Sequence, residues 1–161
     1  MPFPFSLVEG MKIVELLAPA ADAGGRTGDY LSLKNYVKAY IVAHITQGNA
    51  ATVKITPRQA SKVDGTGVKV LANVVPIWAD LDTSASDALV AKTAAVDYTT
   101  DAGVANKIVV LEIDPSTLDV AGGFDCINVT TGASNAANIT QVMAFLVPRY
   151  SQATPPSAIV D

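Results

Sequence analysis

Residues 36 to 47 read Tyr-Val-Lys-Ala-Tyr-Ile-Val-Ala-His-Ile-Thr-Gln. Val37, Ala39, Ile41, Ala43 and Ile45 recur at every second position, and Tyr36, Lys38, Tyr40, Val42, His44 and Thr46 alternate with them. Successive side chains of a strand point to opposite faces, so this period of two predicts a long strand with one face in a core. A helix would instead return its apolar residues every three or four positions. After Gly48-Asn49 the alternation resumes over Ala51 to Thr56, with Val53 and Ile55 opposed by Thr52, Lys54 and Thr56. The two runs are expected to pair as an antiparallel hairpin.

Outward from that pair, further strands are expected at Leu7 to Leu17, Val68 to Val74, Ile77 to Leu81, Val96 to Thr99, Lys107 to Ile113, Phe124 to Thr130 and Ile139 to Val147. Turn residues separate them: Gly24, Gly25 and Gly28; Asp64-Gly65-Thr66-Gly67; Asp82 to Asp87; Asp114-Pro115-Ser116; Gly122-Gly123; and Gly132 to Asn138. Two short helices are predicted, one over Pro57 to Val63 with Thr56 as N-cap and one over Ser86 to Thr93. Neither is long enough to cover a parallel sheet, which argues against a doubly wound α/β fold. The 20 Val and 14 Thr against three Glu favour pleated surfaces. The expectation is one all-β domain over 1–161, a sandwich or barrel of about eight or nine short strands.

Composition bounds the function. Half of the 161 residues are apolar and 16% are charged, which excludes intrinsic disorder. So little charge suggests that part of the surface is covered by copies of the chain or by a partner. The net charge of −4, with no basic stripe, speaks against direct nucleic-acid binding. Apolar runs such as Val74 to Ala79 are far shorter than a bilayer requires, so no membrane span is expected. Met-Pro-Phe-Pro-Phe-Ser lacks the basic and apolar regions of a secretory signal, and a lone cysteine, Cys126, fits synthesis in a reducing cytosol. Both ends, about 1–6 and 152–161, are Pro-rich and carry apolar residues, Phe3 and Phe5 at one and Ile159 and Val160 at the other. They are expected to be extended arms.

Candidate chemistry is sparse. His44 is the one histidine, and a hydrolytic triad would have to use it, but no G-x-S-x-G elbow is present and nothing in sequence ties Cys126 to it. One His and one Cys cannot close a tetrahedral zinc site. Asp80, Asp82 and Asp87 resemble the opening of a calcium loop but lack its central Gly and terminal Glu, so capping and loop hydrogen bonding are the expected roles. Asp64 to Gly67 lacks the Lys of a phosphate-binding loop and reads as a turn. Tyr36, Tyr40 and Trp78 are expected to share a surface, as packing or interface residues or else as a sugar-stacking platform.

Several stretches carry a resemblance: Leu33-Lys34-Asn35, Ala43 to Ala51, Asn73-Val74-Val75-Pro76-Ile77-Trp78, Lys107 to Pro115, Gly123 to Cys126, the run Asn135-Ala136-Ala137-Asn138-Ile139-Thr140, and Thr154 to Val160. Together the chain resembles the capsid decoration, or cement, proteins of tailed bacteriophages. That resemblance implies a jelly-roll-like sandwich that binds the outer surface of assembled major capsid protein, stabilises it, and sits in the virion after synthesis in the host cytoplasm. It implies no enzyme activity, no cofactor and no catalytic residue. Closed dimers or trimers are the expected self-association. Phe3, Phe5, Tyr36, Tyr40, Trp78, Pro155, Pro156 and Ile159 are the candidate interface residues. A tail, neck or head-fibre component is the alternative within the same class, and a carbohydrate-binding module using Tyr36, Tyr40 and Trp78 is the alternative outside it.

Overall fold

The alternation over residues 36–47 becomes β4 (Tyr36–Gln47), third of six strands in an antiparallel sheet ordered β1-β12-β4-β10-β7-β8. A computed structural model describes residues 6–161. The other members of this sheet are β1 (Lys12–Ala21), β7 (Val75–Asp80), β8 (Val90–Ala95), β10 (Asn106–Ile113) and β12 (Asn138–Pro148). A second sheet, ordered β2-β11-β5-β6, is built from β2 (Arg26–Thr27), β5 (Lys54–Ala60), β6 (Lys69–Val70) and β11 (Cys126–Thr131). Two short strands join its margins, β3 (Leu31–Ser32) beside β11 and β9 (Tyr98–Thr99) beside β5. From β8 onward the chain changes sheet at every strand, and the result is the expected all-β sandwich.

Pairing register builds the core. Ala39, Ile41 and Ala43 of β4 lie opposite Leu146, Ala144 and Val142 of β12 and opposite Ile113, Leu111 and Val109 of β10. All nine are fully buried. Small Ala beside bulky Leu and Ile lets side chains from Ile55, Ile127 and Val129 of the second sheet interdigitate with them. The alternation slips at the start of β4. A register shift between the Lys38↔Val147 and Tyr36↔Pro148 pairs turns Tyr36 inward and Val37 outward, against the faces expected for both.

Four local expectations are corrected. The run after Gly48-Asn49 does not form a hairpin with β4; β5 lies in the opposite sheet. Both edges of β4 are already taken, by β12 and β10, so β5 crosses the core and pairs with β11, and its apolar face packs against that of β4. The connection is held open by Asn138, whose Oδ1 accepts from Asn49 N and whose Nδ2 donates to Ala51 O. The helix expected over Pro57 to Val63 is instead the second half of β5, where Ile55, Pro57 and Gln59 are buried at every second position. Pro57 is tolerated because β9 flanks β5 at Lys54–Ile55 and β6 at Arg58–Gln59, leaving a gap beside it where no ladder bond is lost. The helix expected over Ser86 to Thr93 is instead an irregular segment, 86–89, that runs into the first residues of β8, and the strand expected from Leu7 opens as one helical turn, α1 (Leu7–Gly10).

Gly28 fastens one sheet to the other. Its N–H donates to Val129 O of β11, the next N–H, of Asp29, donates to Leu16 O of β1, and a Cβ at Gly28 would sit 2.7 Å from Leu16 O. Nearby, the buried Asp22 carboxylate accepts from Arg26 Nε at 2.9 Å and from Thr131 Oγ1 at 2.8 Å. Arg26 then donates to Ala18 O and Thr140 O, binding both sheets to one guanidinium.

Candidate functional site: the outer face of the six-stranded sheet

Directly paired residues of neighbouring strands project to the same side, so the register assembles the outer face of the six-stranded sheet row by row. One row runs Ile13, Phe145, Tyr40, Glu112 from β1 to β10. The next runs Glu15, Met143, Val42, Val110, Trp78, Ala91 across all six strands. Beyond it lie Gln141, His44 and Ile108, then Ile139, Thr46 and Asn106. None of these is covered: Ile13, Glu15, Ala91, His44, Ile139, Thr46 and Asn106 are exposed, and the remaining side chains are half-buried. Met11, Tyr40, Val42, Val110 and Phe145 line an open groove of about 380 Å³ on this face.

Its few charges are answered locally. Lys38 Nζ lies 3.1 Å from Glu112 Oε2, and Gln141 Nε2 donates to Glu15 Oε2 at 3.2 Å. The face therefore offers charge-poor, apolar, nearly flat β-surface that includes Tyr40 and Trp78, residue types enriched where proteins meet.

Of the residues singled out from sequence, Tyr40 and Trp78 belong to this face, one row and two strands apart. Tyr36 does not. It is fully buried, and its hydroxyl donates to Pro156 O at 2.5 Å, so a platform of three aromatics is reduced to two. Burial also raises the Tyr36 phenol above its ordinary value. Pro155 is buried and Pro156 half-buried against the chain's own domain, because the C-terminal arm folds back: Ser32 N donates to Ala158 O, Val63 N to Asp161 Oδ1, and Ala158 is fully buried. Ile159 stays 60% exposed at the tip. Phe3 and Phe5, with most of the N-terminal arm, lie outside the described residues.

His44 stands on the outer face between Gln141 and Ile108, while Cys126 is buried in the other sheet, so the fold does not bring them together. Burial, with Asp125 and Asp161 nearby, pushes the Cys126 thiol up to about 12. The carboxylates of Asp80 and Asp82 cap their own loop, Asp80 Oδ1 accepting from Asp82 N and Asp82 Oδ1 from Ser84 N and Oγ. Among the described residues there is no group of three or more His, Cys, Asp or Glu placed to hold a metal ion, and no helix long and apolar enough to cross a membrane.

Phe145, Met143 and Val110 were not singled out from sequence. The signal was ambiguous because Ile139 to Val147 is apolar at both phases, Val142, Ala144 and Leu146 facing in and Met143, Phe145 and Val147 facing out. Only the register with β4 tells which set is covered.

No protein-family model matches the chain, and no curated protein matches it. Among solved structures, the crystal structure of SPBc2 prophage-derived protein YomS aligns with 85% of this chain and 92% of its own, at 9% identity and a TM-score of 0.49. A likeness of that degree carries no conclusion about activity or partners.

Proposed function

We propose that this protein is a non-enzymatic structural subunit of a tailed-phage particle, one that binds the outer surface of the assembled capsid and stabilises it. The observation that carries the reading is the wide, charge-poor outer face of the six-stranded sheet, which carries Tyr40 and Trp78. A subunit that works by being held against neighbours needs such a surface, and many modest contacts repeated over a shell add up to firm attachment. The sequence resemblance to decoration proteins supports the same assignment and supplies its partner, the major capsid protein.

The test is to mix the purified chain with undecorated capsids and heat them. Co-sedimentation and a higher disruption temperature are expected. A chain that neither sediments with capsids nor protects them refutes the assignment, and imaging the source particle distinguishes a shell position from a tail, neck or head-fibre one.

A further inference from the structure

Building on the reading of this face as an assembly surface, we propose that its occupant is a second copy of the chain, packed face to face across a two-fold axis that passes between Val42 and Val110. Extent is the first argument. Five strand spacings of about 4.8 Å and eight rises of about 3.4 Å along β4 bound the face at about 24 by 27 Å, at most about 1,300 Å² when two copies meet. A stable specific interface needs roughly 1,000 Å² in total, which the face supplies when most of it is covered.

Charge is the second argument. In a two-fold contact each residue near the axis meets its own image, so an unpaired charge there is brought against an identical charge. The rows nearest the axis carry Val42, Val110, Met143 and Trp78; Glu112 is paired with Lys38, and Glu15, which accepts from Gln141 and stays anionic, lies away from the axis on the edge strand β1. The strands beside the axis, β4 and β10, bring no unpaired carboxylate or ammonium to this face. Packed sheets lie about 10 Å apart with interdigitated side chains, and the groove between Tyr40, Val42, Val110 and Phe145 leaves space for a side chain from the facing copy.

The experiment uses the full chain. Light scattering and sedimentation from about 1 to 100 μM are expected to give a dimer mass. Val42→Glu and Val42→Lys, both at a half-exposed strand position, are expected to weaken the dimer at least tenfold while keeping the far-UV spectrum and cooperative melting. An equimolar mixture of the two is expected to restore a dimer, because unlike charges then meet at the axis. A monomeric wild type at 100 μM overturns the proposal. So does a dimer whose dissociation constant neither variant moves, or a trimer on the same face. Capsid co-sedimentation on the same samples separates the two readings: a monomer that still binds capsids overturns the dimer alone, and a dimer that ignores them overturns the particle assignment alone. If neither charged variant folds, the wild-type mass still decides.

Discussion

Replacing Asp101 by Ala is expected to cost far more than replacing its partner Lys107 by Met. Lys107 lies on β10 opposite Ile45, its side chain wholly buried, and its ammonium reaches the carboxylate and the main-chain oxygen of Asp101, whose side chain is 53% exposed. Removing one partner of a buried ion pair costs about 3–5 kcal/mol because the other charge is stranded, whereas an apolar residue of similar volume in place of the buried charge is often neutral. Here the carboxylate is half in water and the main-chain oxygen remains, so the Asp101→Ala penalty is discounted to about 2 kcal/mol, and Lys107→Met should stay within about 1 kcal/mol of zero. For a chain of this length each kcal/mol moves the melting point by roughly 2–4 °C. Asp101→Ala should therefore melt about 4–8 °C lower. Urea denaturation followed through the single tryptophan, Trp78, measures both variants and their double mutant. If Asp101→Ala costs no more than Lys107→Met, the stranded-charge argument fails, and with it the view that this pair pins the loop between β9 and β10 against Gln47 and Thr100.

Tyr36→Phe removes the hydroxyl that holds Pro156, and should lower stability by about 1 kcal/mol; deleting 152–161 should cost more, since it also uncovers the site filled by Ala158, and thermal melting ranks the two. Gly28→Ala puts a methyl against two carbonyl oxygens where the sheets join, and a loss of about 1–3 kcal/mol in chemical denaturation is expected. Cys126 should react with a thiol reagent at pH 8 only as fast as the protein opens, so equal rates in the folded and urea-unfolded chain would contradict its burial and raised pKa. Asp64, Asp82, Asp101, Asp114 and Asp119 are all held below the ordinary carboxylate range, chiefly by side-chain hydrogen bonds from Thr66, Ser84, Lys107, Ser116 and Lys69 respectively. Depressed folded-state values mean stability that is complete above the unfolded pKa of about 4 and lost as pH falls through the folded values, so the melting point should hold from pH 7 to 5 and drop below about 4.

How much could be read beforehand depended on whether the deciding force was local. The period-two run of β4 and the apolar runs of β10 and β12 are local, and their strands fall where those runs lie. Pairing is not local. The hairpin inferred from Gly48-Asn49 used a turn signal that a sheet-to-sheet crossing satisfies equally well, and the choice is made by β12 and β10, which take both edges of β4, and by Asn138, some 90 positions away. Pro57 looked like a helix start because its tolerance in a strand depends on a gap between β6 and β9, which no local pattern encodes. Tyr36 and Tyr40 shared a face until the Val147/Pro148 irregularity on a different strand separated them. For the same reason the site was legible only in part: Tyr40 and Trp78 stand out as aromatics, while Met143, Val110 and Phe145 become surface residues through register alone.

In the six-stranded sheet, β1 and β12 are neighbours, with Lys12 opposite Leu146 and Ala21 opposite Ile139. The sheet's second strand is thus the last one synthesised, and β4 stays unflanked on that side until it arrives. The sheet cannot be completed until β12 is made, and with so many partners far apart in sequence folding belongs to the slow, millisecond-to-second class. Until then Ile41, Leu111 and Val129 are accessible to other unfinished chains, so in a cell making many copies the yield of soluble subunit should rise when fewer copies are made at once and fall when β12 is truncated.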